Sequence, residues 1–324
     1  MQVGGKDLEN RIKLPIIVGP TASGKSALAL AIAEEVGGEI VSCDSMQIYR
    51  RMNIGTAKPT DEELSRVRHH MIDIAEPWES FSCADYARLA DEAINDIVSR
   101  GKIPIVCGGT GLYLDSLLRG GLPEIADSDE EYRAELCALL EREGTEKLHA
   151  MLEAVDPESA EAIHMNNTKR VMRALEIYHT SGRKKSELDK ENSRIDGKYQ
   201  PLAVGLFYPE RSVLYDRIDK RVDIMISEGL LDEVRALESE GVFERSKTAS
   251  GAIGYKELLG FLHGEMRLEE AVDNLKMATR RYAKRQCTWF FAKDYVTKIE
   301  INPPFDEKTF KKSVKNAKKV FQFS

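Results

Sequence analysis

Short apolar runs alternating with stretches of helical spacing organise the first third of the chain. Leu14–Val18, Glu39–Cys43, His70–Ile74 and Ile103–Cys107 read as strands. Ser26–Val36, Asp61–Val67, Cys83–Ser99 and Leu112–Leu118 read as helices between them. Alternation of this kind predicts a parallel sheet covered by helices on both faces. Leu202–Phe207 reads as a further buried strand and Tyr295–Ile301 as a last one. From about Ile125 to Gln200 the pattern is mainly helical, with Asp129–Glu143, Gly144–Ala154 and Asn167–Thr180 followed by a polar stretch, Ser181–Tyr199. Residues 1–124 and 201–324 are therefore expected to form one core domain, and 125–200 a helical insertion within the sheet order. After Pro209 the chain reads as helical to about Lys293. Leu214, Ile218, Val222 and Met225 recur at helical spacing as a core stripe, with Arg217 and Arg221 one turn apart beside it. Lys308–Lys319 holds six lysines and reads as a solvated surface helix.

The first strand runs into Gly19-Pro20-Thr21-Ala22-Ser23-Gly24-Lys25-Ser26. This is a Gly, four residues, then Gly-Lys-Ser, between a strand and a helix. It is the pattern that cradles a diphosphate or triphosphate on backbone N–H groups. Lys25 supplies a point charge to phosphate, and the Ser26 hydroxyl can ligate Mg²⁺. The expected fold is α/β: a P-loop NTPase-like parallel sheet flanked by helices, with a mainly helical insertion domain.

Composition adds little to that frame, and charge distribution adds more. No run of about 18 apolar residues occurs, so no membrane span is expected. The polar start, Met1 to Lys13, carries no signal-peptide core. Five scattered cysteines without a Cys-x-x-Cys pair fit a reducing, cytoplasmic setting and no structural zinc. The net charge of −7 argues mildly against nucleic acid. Its distribution does not: Glu124–Glu161 is strongly acidic, whereas Asn274–Lys293 holds six Lys/Arg and no acid. Local basic patches bind a polyanion whatever the total charge. Solvated helix faces are the alternative for these runs.

In open α/β sheets ligands sit beyond the carboxyl ends of the strands. Asp44, at the end of the second strand, falls on that edge, able to hold Mg²⁺ through water or to accept a proton; a turn aspartate is the structural alternative. Gly108-Gly109-Thr110-Gly111 ends another strand and offers a hydroxyl. Arg217 and Arg221 are candidate clamps for a diphosphate, or else surface ion-pair partners of Asp216 or Asp219. Lys276, Arg280 and Lys284 share one helix face, which Arg281 and Arg285 widen, a pattern able to track a nucleic-acid backbone; Trp289, Phe290 and Phe291 follow and read first as core.

The phosphate loop is followed by Asp44-Ser45-Met46-Gln47-Ile48-Tyr49-Arg50, then by Asn53–Pro59, Gly108–Tyr113, Lys169–Glu176, Ile253–Glu257 and Tyr282–Trp289. Together these segments closely resemble the bacterial tRNA dimethylallyltransferases, also called tRNA isopentenyltransferases, over nearly the whole chain. The resemblance implies that the exocyclic amine of the adenine 3′-adjacent to the tRNA anticodon attacks dimethylallyl diphosphate and releases pyrophosphate, with Mg²⁺ assisting. The loop would then bind an isoprenoid diphosphate and not hydrolyse ATP. The family's general base matches Asp44, its channel threonine Thr110 and its diphosphate arginine Arg221. Gly19 to Ser26 match the diphosphate contacts, with Ser26 toward the metal. The tRNA contacts match Asp44, Ser45, Met46, Gln47, Thr110, Lys169, Arg170, Val171, Met172, Arg173, Gly251, Ala252, Ile253, Gly254, Tyr255 and Lys256, and Arg133 with them. Arg280, Lys284 and Arg285 are added to that surface on their charge. The adenine must leave the anticodon stack, so base flipping is expected. Ser26 stands where Thr is common, and no Cys/His zinc module follows the core, as in bacterial members.

A cytoplasmic monomer acting on the tRNA anticodon stem-loop, with no membrane partner, is the expectation. The rivals are an adenylate isopentenyltransferase acting on free nucleotide, a P-loop small-molecule kinase, and a nucleotide-dependent binding switch. The insertion and the basic segment 276–285 favour tRNA, since a free nucleotide needs neither.

Overall fold

A computed structural model describes residues 11–120, 129–191 and 198–323. Two compact units emerge: one from the residues up to Leu118 and from Lys198 onward, the other from Arg119–Gly197. The expected boundary at 124/125 lies outside the described residues.

The larger unit begins with β1 (Ile12–Val18), α1 (Lys25–Val36), β2 (Glu39–Cys43), α2 (Asp61–Arg66), β3 (His69–His70), α3 (Cys83–Ser99), β4 (Pro104–Gly108) and α4 (Gly111–Leu118). The smaller unit contains α5 (Glu130–Val155), α6 (Pro157–Ala162), α7 (Thr168–Ser181) and α8 (Lys185–Glu191). The larger unit resumes with β5 (Tyr199–Phe207), α9 (Arg211–Ser227), α10 (Leu230–Ser239), α11 (Val242–Arg245) and α12 (Lys247–Ser250). It closes with α13 (Tyr255–Leu262), α14 (Leu268–Phe290), β6 (Val296–Glu300) and α15 (Glu307–Phe321).

Among the described residues the strands form one six-stranded sheet in the order β3-β2-β4-β1-β5-β6, with every pairing parallel. The central strands are buried apart from Ile12 and Lys13 at the start of β1, which is why they read as mainly apolar runs. The β1–β4 register sets Val18 opposite Gly108, so the phosphate loop and the Gly108–Gly111 turn leave the sheet side by side.

Four expectations change. His70–Ile74 is a strand only at His69–His70, because Met71 and Asp73 adopt φ of 64° and 55°, outside any strand geometry. Lys58 Nζ holds the Asp73 carboxylate at 2.5 Å and Arg50 Nε donates to the Asp73 carbonyl at 3.0 Å, fixing that turn. The lysine-rich C-terminal helix is not merely solvated: Val314, Ala317 and Phe321 of α15 pack into the cluster with Leu28, Ile32 and Leu206. The polar stretch after Thr180 contains α8, seated by the Asp156 carboxylate, which accepts the Ser186 N–H at 3.0 Å and hydroxyl at 2.6 Å. The break expected between Glu143 and Gly144 is a kink inside α5, with Gly144 at φ 80° and ψ −177°.

Candidate active site

The phosphate loop turns into α1 at Gly24, whose φ of 92° is costly for any residue with a Cβ. Three side chains brace the loop from outside. Tyr208 donates its hydroxyl to the Ser23 carbonyl at 2.9 Å, and Arg217 Nε donates to the Ala22 carbonyl at 2.9 Å. The Gln286 carbonyl accepts the Thr21 N–H at 2.9 Å. Arg217 is thus a brace for the loop, with its guanidinium 4.8 Å over the Phe305 ring, and not a diphosphate clamp.

Beyond the strand ends lies a cavity of about 370 Å³. Thr21, Lys25 and Ser26 reach it from the phosphate loop, Asp44 to Gln47 from the end of β2, and Arg221 from α9. Gly251 to Tyr255, and Arg285 with Gln286, close it from α12–α13 and α14. Ile218, Val222, Met225, Leu230 and Leu275 form an apolar wall. Several of these belong to the stripe read from the sequence as core, because one helix face serves both the core and the cavity lining.

Electrostatics inside the cavity are unbalanced. Burial lowers the Lys25 pKa; the charge of Arg221 lowers it further, while Cys107 and Asp44 act to raise it. Burial likewise lowers Arg221, opposed by Asp44. Asp44 is the one carboxylate that acts on both cations, with Glu228 and Glu63 acting on Arg221 alone, an arrangement that suits an added anion beside Lys25. Asp44 Oδ1 accepts the N–H groups of Met46 at 2.9 Å and Gln47 at 3.4 Å, so the turn role is real, yet Oδ2 takes neither bond. Thr110 stands next to it: its hydroxyl accepts the Ser45 N–H at 3.0 Å. Tyr282 lines the same cavity and is held protonated by burial and by Asp44.

Other expected residues are placed differently. Gly19 and Pro20 shape the loop without lining the cavity, whereas Ala22, Ser23 and Gly24 line an adjoining one that shares Lys25, Ser26 and Arg221 with it. Gln47 spends its amide internally, donating to the carbonyls of Thr56 at 3.2 Å and Ala57 at 3.0 Å and accepting from the Ser42 hydroxyl at 2.9 Å. Lys256 is exposed on α13, outside the lining. In the smaller unit, Lys169 and Arg170 are exposed, and Arg133 and Arg173 flank the buried Glu176 at 3.5 and 3.2 Å. Val171 and Met172 are core residues of that unit, so a direct contact from their side chains to a ligand is ruled out by burial.

The acid-free run on α14 is not acid-free in space. Lys276 pairs with Asp223 at 2.5 Å and Arg280 with Asp219 at 3.5 Å, both carboxylates coming from α9. Lys284 and Arg285 remain exposed. Tyr282, Gln286, Thr279 and Cys107 are lining residues that residue-by-residue reading did not single out. The helical spacing of Thr279, Tyr282 and Gln286 on one face of α14 was the available signal. Ser26 in the first turn of α1 and Asp44 across the cavity are hard oxygen donors suited to Mg²⁺ that keeps water and phosphate ligands. Among the described residues, no group of three or more His, Cys, Asp or Glu could hold a metal by protein ligands alone. No helix among them is long and apolar enough to cross a membrane.

A phosphate-loop helix at the carboxyl edge of an all-parallel sheet, facing a cavity that is cationic at one end and apolar along one wall, defines a P-loop-like α/β transferase. The IPP transferase family model matches residues 47–293. The chain belongs to that family. It is 50% identical over 297 residues to the tRNA dimethylallyltransferase of Bacillus licheniformis, covering 91% of this chain and 93% of the relative. With that of Bacillus subtilis it shares 47% over 307 residues, 94% and 96% of the two chains. Among solved structures it resembles the tRNA isopentenylpyrophosphate transferase of Bacillus halodurans, with a TM-score of 0.68, 44% identity and coverage of 96% and 97%. It also resembles a eukaryotic dimethylallyltransferase acting on tRNA, with a TM-score of 0.77, 29% identity and coverage of 97% and 81%.

Proposed function

We propose that this chain transfers a dimethylallyl group from dimethylallyl diphosphate to the exocyclic amine of the adenine 3′-adjacent to the tRNA anticodon. The observation that carries the reading is the two-sided cavity: Lys25, Ser26 and Arg221 at one end, and the wall of Ile218, Val222, Met225, Leu230 and Leu275 beside them. A diphosphate with a short branched hydrocarbon tail matches both sides. The amine nitrogen attacks the allylic carbon, the carbon–oxygen bond to the diphosphate breaks, and its electron pair leaves with pyrophosphate. Asp44 takes the amine proton, and Thr110 holds the turn that aims Asp44. Lys25 and Arg221 meet the charge that grows on the leaving group in a desolvated site, where such stabilisation is strongest. When bound, Mg²⁺ at Ser26 would neutralise part of that charge.

An amine inside a base stack cannot reach a cavity at the sheet edge, so the adenine is flipped out. Lys169, Arg170, Arg173, Arg133, Lys284 and Arg285 supply phosphate contacts, and Gly251–Tyr255 line the approach. The enzyme acts in the cytoplasm, where its tRNA substrate is. The test is incubation with dimethylallyl diphosphate and either tRNA or AMP, followed by mass spectrometry of anticodon-loop fragments and nucleotides. Prenylated adenine in the anticodon loop is the expected product. Prenylated AMP without prenylated tRNA would replace this reading with the free-nucleotide one.

A further inference from the structure

Gln286 of α14 is 5% exposed, and its amide joins two loops far apart in sequence. Its Oε1 accepts the N–H of Thr21 in the phosphate loop at 2.9 Å. Its Nε2 donates to the carbonyl of Gly109, the residue before Thr110, at 3.0 Å. The fit at Gly109 is close: a Cβ there would lie 2.2 Å from Nε2. Tyr282, one turn earlier, approaches the same Gly109 carbonyl at 3.5 Å. An uncharged amide offers a donor and an acceptor on separate atoms, one for each loop, without burying a net charge.

We propose that Gln286 is a positioning residue that sets the spacing between the phosphate loop and the Gly109–Thr110 turn. Resting on the transfer reading above, it holds the leaving diphosphate and the incoming amine in line. It touches no reacting atom in this role. Its contribution is alignment, and a misplacement of about 1 Å at a reacting pair costs on the order of a hundredfold in rate.

Q286M keeps length and apolar bulk but removes both hydrogen bonds. It should lower kcat for tRNA prenylation by about thirtyfold while KM for each substrate stays within about threefold, the pattern of lost alignment and not lost binding. Q286E separates the two bonds. As a carboxylate it still accepts from Thr21 but repels the Gly109 carbonyl; protonated, it restores both. Burial raises the pKa of such a carboxyl. The ratio of Q286E to parent kcat should therefore rise by about tenfold from roughly pH 8.5 to pH 6. Of the groups that face the same space, Lys25, Arg221 and Arg285 favour the ionised carboxyl and oppose the effect of burial, whereas Asp44 adds to it; Cys107 and Tyr282 are neutral there.

An arm independent of turnover is backbone amide exchange. Q286M should speed exchange in segments 19–23 and 108–111 together by about tenfold, with the rest of the sheet unchanged. A Q286M kcat within threefold of the parent, a pH-independent ratio, or unchanged exchange in both loops would each overturn the proposal. If Q286M folds poorly, acid recovery of Q286E decides. If the parent prenylates no tRNA, the transfer reading falls, and the exchange result still decides the clamp.

Discussion

The two edges of the sheet treat buried charge in opposite ways. At the amino edge, Glu39 opens β2 and is 1% exposed. Its carboxylate is met by Arg100 at 2.5 Å, Lys102 at 2.8 Å and His70 at 2.7 Å. The Arg100 guanidinium first, then Lys102 and His70, hold its pKa well below the usual carboxylate range. At the carboxyl edge, Lys25 and Arg221 are half-buried with Asp44 as the anion acting on both, and both cations are pushed down in pKa by desolvation. A charge satisfied by the protein serves stability, whereas a charge left uncompensated is a binding site for something else. The neighbouring arginines of α9 repeat the contrast within one turn: Arg217 is bonded to the loop backbone, and Arg221 faces the cavity.

The largest effect that would break this comparison is at Asp44. Asp44→Asn should cut prenyl transfer by about 10²–10⁴-fold with tRNA affinity nearly unchanged, as expected for loss of a general base. Single-turnover rates and tRNA binding measured together check it; a rate within a few-fold of the parent removes Asp44 from the chemistry. Next, Lys25→Ala should weaken dimethylallyl diphosphate binding by about 10–100-fold, the scale of a charge-assisted hydrogen bond. It should not lower thermal stability, since a desolvated, incompletely paired cation is removed. A drop in Tm equal to that of an amino-edge variant would erase the distinction between the edges.

Glu39→Gln should show the reverse profile, costing about 2–3 kcal/mol of stability because Arg100 and Lys102 lose their buried partner, with turnover preserved. The sign of its pH dependence follows from the lowered carboxyl pKa. The Glu39 contribution is fully present above the unfolded value of about 4.3 and is lost as pH falls through the lower folded value. The gap between parent and variant in denaturant midpoint should therefore close on acidification. A gap that widens in acid would contradict the ion-network account.

The smallest effect concerns the basic face of α14. Lys284→Ala should flatten the dependence of log tRNA affinity on log salt by about 0.7–0.9, one phosphate contact. Arg280→Ala should flatten it less, because Asp219 already sits 3.5 Å from that guanidinium. Equal slopes for the two variants would mean that the α9 carboxylates do not compete with phosphate.

Much of the fold was legible residue by residue. Glu39–Cys43 and Cys83–Ser99 form with the bounds read from the pattern, the latter because Ser82 and Asp85 make a reciprocal cap at its start. What was not legible shares one cause. The turn at Met71–Asp73 is held by Lys58 and Arg50, and the carboxylates facing α14 arrive from α9. Partners distant in sequence leave no periodic trace.

By itself the sequence determined the phosphate loop, the strand that delivers it and the carboxylate at the end of β2. Those features depend on bonds spanning a few residues, such as the Asp44 turn to Met46 and the Gly24 conformation at the start of α1. Only the tertiary structure decided that Arg217 braces while Arg221 faces the cavity, that Val171 and Met172 are core, and that Gln286 ties Thr21 to Gly109. Which face of a helix meets a ligand, a core or a loop depends on packing against other elements, within the smaller unit for Val171 and Met172 and over a hundred residues away for Arg217 and Gln286, and spacing along one helix specifies a face without naming what it faces.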